Sequence, residues 1–317
     1  MTQLSVLSHG RPLAPELIGL ALRATRHVLK SAALRALAHA PVSINVAARA
    51  MKKYRYTFGY WPNILFPGTF NEKLQARKIF DRRPILALWA DKLAVRTYVV
   101  DKTSDPSLLP RLLHVTTDPT DIPFDRLPSR YVVKASHGSG WVHIVQDGAA
   151  VDSRAVIETC RQWLALNYYD INQEPLYRRI TPRILIEEFL DDGTGEPPDD
   201  YKFYVFGGKV RFIQVDMARF GQPPFRHQRN IYDPNWTLLP VTLTVEPYPG
   251  TLERPPALDR MIQIAETLAD ATDFVRVDLY AVNDTVYFGE MTPSSGNGFN
   301  KFSPVSYDQV FGSFWTG

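Results

Sequence analysis

Two runs near the C-terminus constrain this chain most: Arg276-Val277-Asp278-Leu279-Tyr280 and Val286-Tyr287-Phe288-Gly289-Glu290-Met291-Thr292. Both are rich in β-branched and aromatic residues, and they flank Asn283-Asp284. Strand-forming runs around such a turn predict a β-hairpin. Antiparallel pairing brings Asp278 and Glu290 to one end of it. Two hard oxygen ligands side by side suit Mg²⁺ held against phosphates. Arg276, two residues before Asp278, points to the same face of its strand. A metal carboxylate beside a guanidinium is what phosphate chemistry needs. The alternative is a hairpin carrying an ordinary surface Asp and Glu.

Length and composition set the frame. The chain has 317 residues, 45% of them hydrophobic, enough for a sizeable core and more than one lobe. A single cysteine, Cys160, excludes an internal disulfide framework and Cys-based metal sites, and points to a reducing, cytoplasmic setting. Cys160 itself reads as a small buried hydrophobe rather than a nucleophile. Residues 14–40 are the most apolar stretch, but Arg23, Arg26, Lys30 and Arg35 interrupt them, so neither a membrane span nor a signal peptide is expected.

The net charge of +3 hides an asymmetry: residues 1–60 carry nine Lys/Arg and one acid, Glu16. Leu17, Leu20, Ala21, Ala24, Val28, Leu29 and Ala32 recur there at helical spacing, with basic residues between them. Two readings stand for this basic amphipathic helix. It lies on an anionic membrane surface, at the inner face of the cell membrane, or on an anionic polymer; or it packs on the body with its cations solvated.

Further along, Thr69 and Glu72 have the spacing of a capping box opening a helix at Phe70, which Asp81–Pro84 break. A second helix is expected over about 85–100, carrying Ala90-Asp91-Lys92. Tyr131–Lys134 and Trp141–Val145 read as strands joined by the flexible loop His137-Gly138-Ser139-Gly140. Helix follows over about 153–169, then a strand, Ile184 to Leu190, with an acidic end, and a polar loop to Asp199. Two strands flank Gly207-Gly208 as a hairpin, and a helix over about 258–271 precedes the carboxylate hairpin. Prominent antiparallel hairpins among helices predict an α+β fold rather than a doubly wound parallel sheet.

Several pieces are weak signals alone. Lys134, ending a strand beside a Gly-rich loop, can cover phosphates, although a lysine preceding the glycines is not a Walker A loop. Ile186-Glu187-Glu188-Phe189-Leu190 ends a strand whose free backbone groups can pair with an adenine edge. Asp200 and Lys202 share a strand face, and Arg219 ends the next strand; the alternative for these is a surface ion pair of little worth.

Taken in order, these pieces resemble the ATP-grasp ligases over about Ala90 to Gly298, in particular the branch typified by the teichuronopeptide-biosynthesis protein. The resemblance rests on Phe70-Asn71-Glu72-Lys73, Ala90-Asp91-Lys92-Leu93-Ala94-Val95-Arg96, Lys134-Ala135-Ser136-His137-Gly138-Ser139-Gly140, Asp200-Tyr201-Lys202-Phe203 and Gly289-Glu290-Met291-Thr292. It implies an ATP-grasp fold of two α+β lobes clasping ATP. The expected organisation is a basic helical segment over 1–60, a helical N-terminal lobe over 61–130, a small lobe with the Gly-rich loop over 131–190, and a C-terminal lobe with the Mg²⁺ and phosphate site over 191–317.

The resemblance also implies roles. Lys92 and Lys134 contact nucleotide phosphates under the loop of His137, Gly138, Ser139 and Gly140. Glu187, Glu188, Phe189 and Leu190 form the adenine-edge segment. Asp200, or failing that Asp199, meets the ribose, and Lys202 and Arg276 face the transferring phosphate. Asp278 and Glu290 hold Mg²⁺ with Thr292, which stands where many members have Asn. The implied activity is ATP-dependent carboxylate–amine ligation through an acyl phosphate, with an amine or amino acid and a carboxylate-bearing, glycan-type acid as substrates in surface-polysaccharide or envelope assembly. Arg219, then Arg211 and Arg229, are the expected acid-binding residues; His137 or His143 could orient an acceptor. No nucleic acid is implied. A kinase of a sugar or polyol hydroxyl and a non-catalytic module of a polysaccharide assembly complex remain as alternatives.

Overall fold

The computed structural model describes residues 44–147, 151–219, 227–270 and 272–316, and residues 44–317 form one compact unit. The amphipathic helix expected over 17–32 lies outside the described residues. Among the described residues every strand pairing is antiparallel, so the fold is α+β as expected.

The described residues open with helix α1 (Ile44–Phe58), followed by α2 (Phe70–Phe80). Helix α2 starts with the capping box foreseen: the Glu72 amide donates to Thr69 Oγ1 at 3.2 Å, and the Thr69 amide donates to Glu72 Oε2 at 3.2 Å. The single helix expected next is two, α3 (Pro84–Ala90) and α4 (Ala94–Thr103). The Asp91 carboxylate accepts from the Leu93 and Ala94 amides at 2.9 and 3.2 Å, so it caps a new helix instead of continuing the old one. Lys92 therefore sits in the break, its amide donating to the Ser136 carbonyl.

Strands β1 (Leu112–Thr116), β2 (Tyr131–Ala135), β3 (Val142–Val145) and β4 (Ile184–Glu188) form one sheet in the order β1-β4-β2-β3. Its edge strand thus comes from ahead of residue 131. Alternate residues Tyr131, Val133 and Ala135 join Ile184 and Ile186 in a core with Val156 and Cys160 of helix α5 (Ser153–Ala165). The intervening Val132 and Lys134 are left for the opposite face.

A second sheet, ordered β10-β9-β5-β6-β7, comprises β5 (Asp200–Phe206), β6 (Lys209–Met217), β7 (Gln228–Tyr232), β9 (Phe274–Val282) and β10 (Thr285–Thr292), while the short β8 (Thr242–Leu243) pairs outside it. Gly207 and Gly208, both at positive φ, turn β5 into β6; Asn283 and Asp284, also positive, turn β9 into β10. One face carries Phe203, Val205, Val275, Val277 and Leu279 against Leu258, Met261 and Ala265 of the helix over Leu258–Ala269. Its other face is apolar where Tyr204, Phe206, Phe212 and Phe274 pack with Phe70 and Leu74 of α2, and polar beyond them, where the site forms.

Helix α2 staples this sheet to the C-terminus. Asn71 Nδ2 donates to the Asn300 carbonyl at 2.8 Å and Lys73 Nζ to that of Gly312 at 3.0 Å. Arg77, only 7% exposed, donates to the carbonyls of Phe274 and Pro293 at the open end of the hairpin and to Asp273 Oδ2 at 2.7 Å. Breaking a buried pair of this kind costs about 3–5 kcal/mol, so Arg77→Ala is expected to lose stability of that order in urea unfolding. Burial alone would raise the Asp273 carboxyl; Arg77 and Arg83 outweigh it and hold it at about 2. A carboxyl depressed in the folded state stabilises above its unfolded value. This contribution is expected to be complete by neutral pH and to vanish as pH falls towards 2.

Candidate active site

The hairpin places the carboxylates through a β-bulge. Phe288 pairs with Leu279 on the core face, and in a regular strand Glu290 would follow Phe288 inward. The register shifts at Gly289 instead, so Glu290 lies opposite Asp278 on the polar face. A Cβ at Gly289 would come 3.0 Å from the Asp278 carbonyl oxygen and 3.0 Å from the Tyr280 ring. Across four strands, Gln214, Lys202, Asp278 and Glu290 then form one row, and Tyr204, Arg276 and Thr292 lie in the next.

Charge density in this row is high. Arg276 grips Asp278 with two parallel bonds, Nε to Oδ1 at 2.6 Å and NH2 to Oδ2 at 2.7 Å, and reaches Glu290 Oε1 at 3.1 Å and Thr292 Oγ1 at 3.0 Å. Lys202 Nζ lies 2.8, 3.3 and 3.6 Å from Asp200, Asp216 and Asp278, yet is aligned for a hydrogen bond with none of them. These residues are almost fully buried, so the surface-pair alternative for Asp200 and Lys202 does not apply. Burial raises the Asp278 carboxyl against the pull of Arg276 and Lys202. Burial also works to raise Glu290, but Lys92, Arg276, Arg219 and Lys202 together hold it at about 2.

The donor set fits Mg²⁺: two carboxylates and a hydroxyl, all hard oxygens, with Glu290 Oε2 outside the Arg276 and Thr292 contacts. Among the described residues no group of three or more His, Cys, Asp or Glu side chains gathers as a complete metal site. Such a set suits a cation that keeps ligands from phosphate and water.

Two cavities meet here. The first runs between the sheets, lined by Lys92, Lys134, Ser139, Gly140, Glu187, Glu188, Phe189, Leu190, Asp200, Arg219, Asp278 and Glu290. Its walls include Val132, Val142 and Ile144, one apolar face of β2 and β3 that period-two alternation marks but that the motif reading passed over. Lys134 Nζ contacts Glu187 Oε2 at 2.6 Å, Arg96 takes Oε1 of the same carboxylate at 2.8 Å, and Lys92 Nζ donates to the Gly138 carbonyl.

The second cavity, about 400 Å³, lies over the polar face of the second sheet. Lys202, Gln214, Asp216, Arg229, Arg276 and Thr292 form its floor, and Tyr177, Glu174 and Asn297 are among the residues around it. Lys92, Ser139, Arg219 and Glu290 line both cavities. Asp216 and Glu174 were not singled out from sequence. Asp216 sits inside a plain strand pattern, bonded by Arg229 and by Gln214 Nε2 at 2.9 Å. Glu174 belongs to a loop; burial raises its carboxyl, against the pull of Lys78.

The remaining expected residues lie as follows. Arg219 NH1 donates to Asp200 Oδ2 at 2.8 Å. His137 turns away from both cavities, its Nε2 2.9 Å from the Trp163 carbonyl, and burial lowers its basicity. Gly138 lies against Trp141, whose ring an added Cβ would meet at 2.4 Å. Asp199 accepts from the Ala218 amide at 3.4 Å. Arg211 stacks over the Phe314 ring at 5.1 Å and His143 is exposed on β3; neither lines a cavity. Cys160 is fully buried, its thiol pushed up to about 11 by that burial, which fits an inert core residue.

A polar sheet face with a carboxylate hairpin beneath a lysine-bearing hairpin defines an ATP-grasp protein. A family model described as TupA-like ATPgrasp matches residues 72–315, and the chain belongs to that family, as the sequence resemblance anticipated. No significant match is found among curated proteins. Among solved structures, the chain is similar to D-alanine–D-alanine ligase from Bacillus anthracis complexed with ATP, at 16% identity and a TM-score of 0.40, covering 66% of this chain and 57% of that one. It is also similar to an L-amino acid ligase from Bacillus licheniformis, at 17% identity and a TM-score of 0.45, covering 82% and 57%. For phosphoribosylamine–glycine ligase from Thermotoga maritima the values are 15%, 0.43, 68% and 52%. The chain thus spans little more than half the length of these proteins.

Proposed function

We propose that this protein is an ATP-dependent carboxylate–amine ligase. The observation that carries the reading is the junction of the two cavities at Lys92, Ser139, Arg219 and Glu290. ATP occupies the first cavity, adenine against Val132, Val142, Ile144 and the Glu187–Leu190 segment, with its phosphates running past Lys134 and Lys92. The acid substrate occupies the second, its carboxylate drawn to Lys202, Arg219 and Arg229. An oxygen of that carboxylate attacks the γ-phosphorus as the bond to ADP breaks, giving an acyl phosphate. The amine nitrogen then attacks the acyl carbon, the C–O bond to phosphate breaks, and an amide and phosphate leave.

Asp278, Glu290 and Thr292 would hold Mg²⁺, which when bound neutralises charge on the phosphates. Lys202 and Arg276 supply fixed positive charge where the transferring phosphate gathers negative charge. No protein nucleophile is required, since positioning and charge do the work. Surface-polysaccharide or envelope assembly as the setting, with a glycan-type acid and an amino acid or amine, follows from the family resemblance alone. The cytoplasm is assigned because ATP is there; among the described residues no helix is long and apolar enough to cross a membrane.

The test is a screen of acids against amines, scored by Mg²⁺-dependent ADP and phosphate release. Retention of the phosphate on product would favour the kinase reading. Two variants bear on the geometry. Lys134→Ala is expected to weaken ATP binding roughly tenfold or more, as loss of a charged hydrogen bond does, a larger effect than its change in melting temperature without nucleotide. An unchanged calorimetric affinity would return β2 and β3 to a plain hairpin. Gly289→Val is expected to push Glu290 out of its row and lower turnover by up to about a hundredfold, the cost of roughly 1 Å of misplacement. Full activity in that variant would remove the bulge from the account.

A further inference from the structure

The end of α1 and the turns after it display aromatic side chains to solvent. Tyr56 is 93%, Phe66 66%, Trp61 50% and Tyr60 43% exposed, four large side chains within eleven residues. They are held in place rather than trailing. The Arg55 guanidinium lies over the Trp61 ring at 5.1 Å, the Tyr60 hydroxyl meets that of buried Tyr54 at 3.0 Å, and the Phe66 amide donates to Asn63 Oδ1 at 3.1 Å. Around them stand exposed Arg49, Lys52 and Arg55. The sequence holds no acidic residue from 17 to 71, so no acid within this segment offsets its cations.

We propose that this surface docks the protein on an anionic lipid membrane, Trp61, Phe66 and the two tyrosines entering the headgroup boundary while Arg49, Lys52 and Arg55 meet lipid phosphates. Aromatic rings with a polar edge favour that boundary, and basic side chains beside them draw it electrostatically. Two other occupants fit less well. A soluble polyanion needs the cations but gives exposed Phe66 and Trp61 no apolar phase. A second copy across a two-fold axis would set this cationic surface against itself. The inference is independent of the ligase reading.

The experiment is co-sedimentation of the full chain with vesicles of phosphatidylcholine alone or mixed with phosphatidylglycerol. The wild-type protein should pellet with the anionic vesicles and be released by salt. Tyr56→Ser/Trp61→Ser/Phe66→Ser and Lys52→Gln/Arg55→Gln should each lower partitioning about tenfold or more, with melting temperature unchanged. Wild-type protein left in the supernatant would overturn the proposal. So would an aromatic variant that pellets like wild type, which marks a polyanion surface or binding through another segment. A dimer in light scattering that the aromatic variant dissolves would also overturn it. ATP affinity, read by calorimetry on the same samples, reports on the ligase reading separately.

Discussion

Asp278→Asn and Glu290→Gln should each lower turnover roughly a hundred- to a thousandfold, the usual cost of losing one electrostatic contact to the reacting group. The two carboxylates face each other across the bulge, each touching Arg276. Neutralising either leaves Arg276 and Lys202 with too little opposing charge to hold a metal ion beside them. The fold should survive in Asp278→Asn, because burial already opposes the ionised form of Asp278. Steady-state turnover with melting temperature measured alongside separates the effects. Turnover within a few-fold of wild type in both variants would take these residues out of the site.

Lys202→Met should cost about 3–5 kcal/mol in urea unfolding, as removing one partner of a buried ionic cluster does, together with nearly all activity. Lys202 is the one cation within 4 Å of all three of Asp200, Asp216 and Asp278 among the described residues. Without it, three carboxylates repel one another at close range, although Arg219, Arg229 and Arg276 each still hold one. Adding Asp216→Asn to Lys202→Met should recover part of the stability, but no activity. A single variant as stable as wild type would show that the arginines alone balance the cluster.

How much of this was legible follows from the range of each signal. The carboxylate hairpin was readable because strand pattern and turn chemistry are local and agree. The α2 capping box was readable for the same reason. The bulge was not: one extra residue reverses side-chain parity without altering composition, and Gly289 looks like any strand glycine. The 85–100 stretch has helical character throughout, and only the Asp91 side chain, competing for the backbone, divides it and leaves Lys92 outside. His137 belongs to a motif whose neighbours line the cleft, but its hydrogen bond with the Trp163 carbonyl turns its ring away. Asp216 and Glu174 enter the second cavity only through tertiary structure, so neither strand pattern nor loop composition could mark them. The polar row of Gln214, Lys202, Asp278 and Glu290 depends on the register of four strands, which alternation within each strand does not specify.

The most direct test of the central claim is capture of the acyl phosphate. The protein would be incubated with ATP, Mg²⁺, hydroxylamine and each member of a panel of carboxylic acids, with no other amine present. Hydroxylamine attacks an acyl phosphate at carbon, giving a hydroxamate and releasing phosphate. The account predicts hydroxamate with at least one acid, ADP in matching amount, and the loss of both in Asp278→Asn. ADP formed without hydroxamate, beside a stable phosphate ester detected by mass spectrometry, would contradict it.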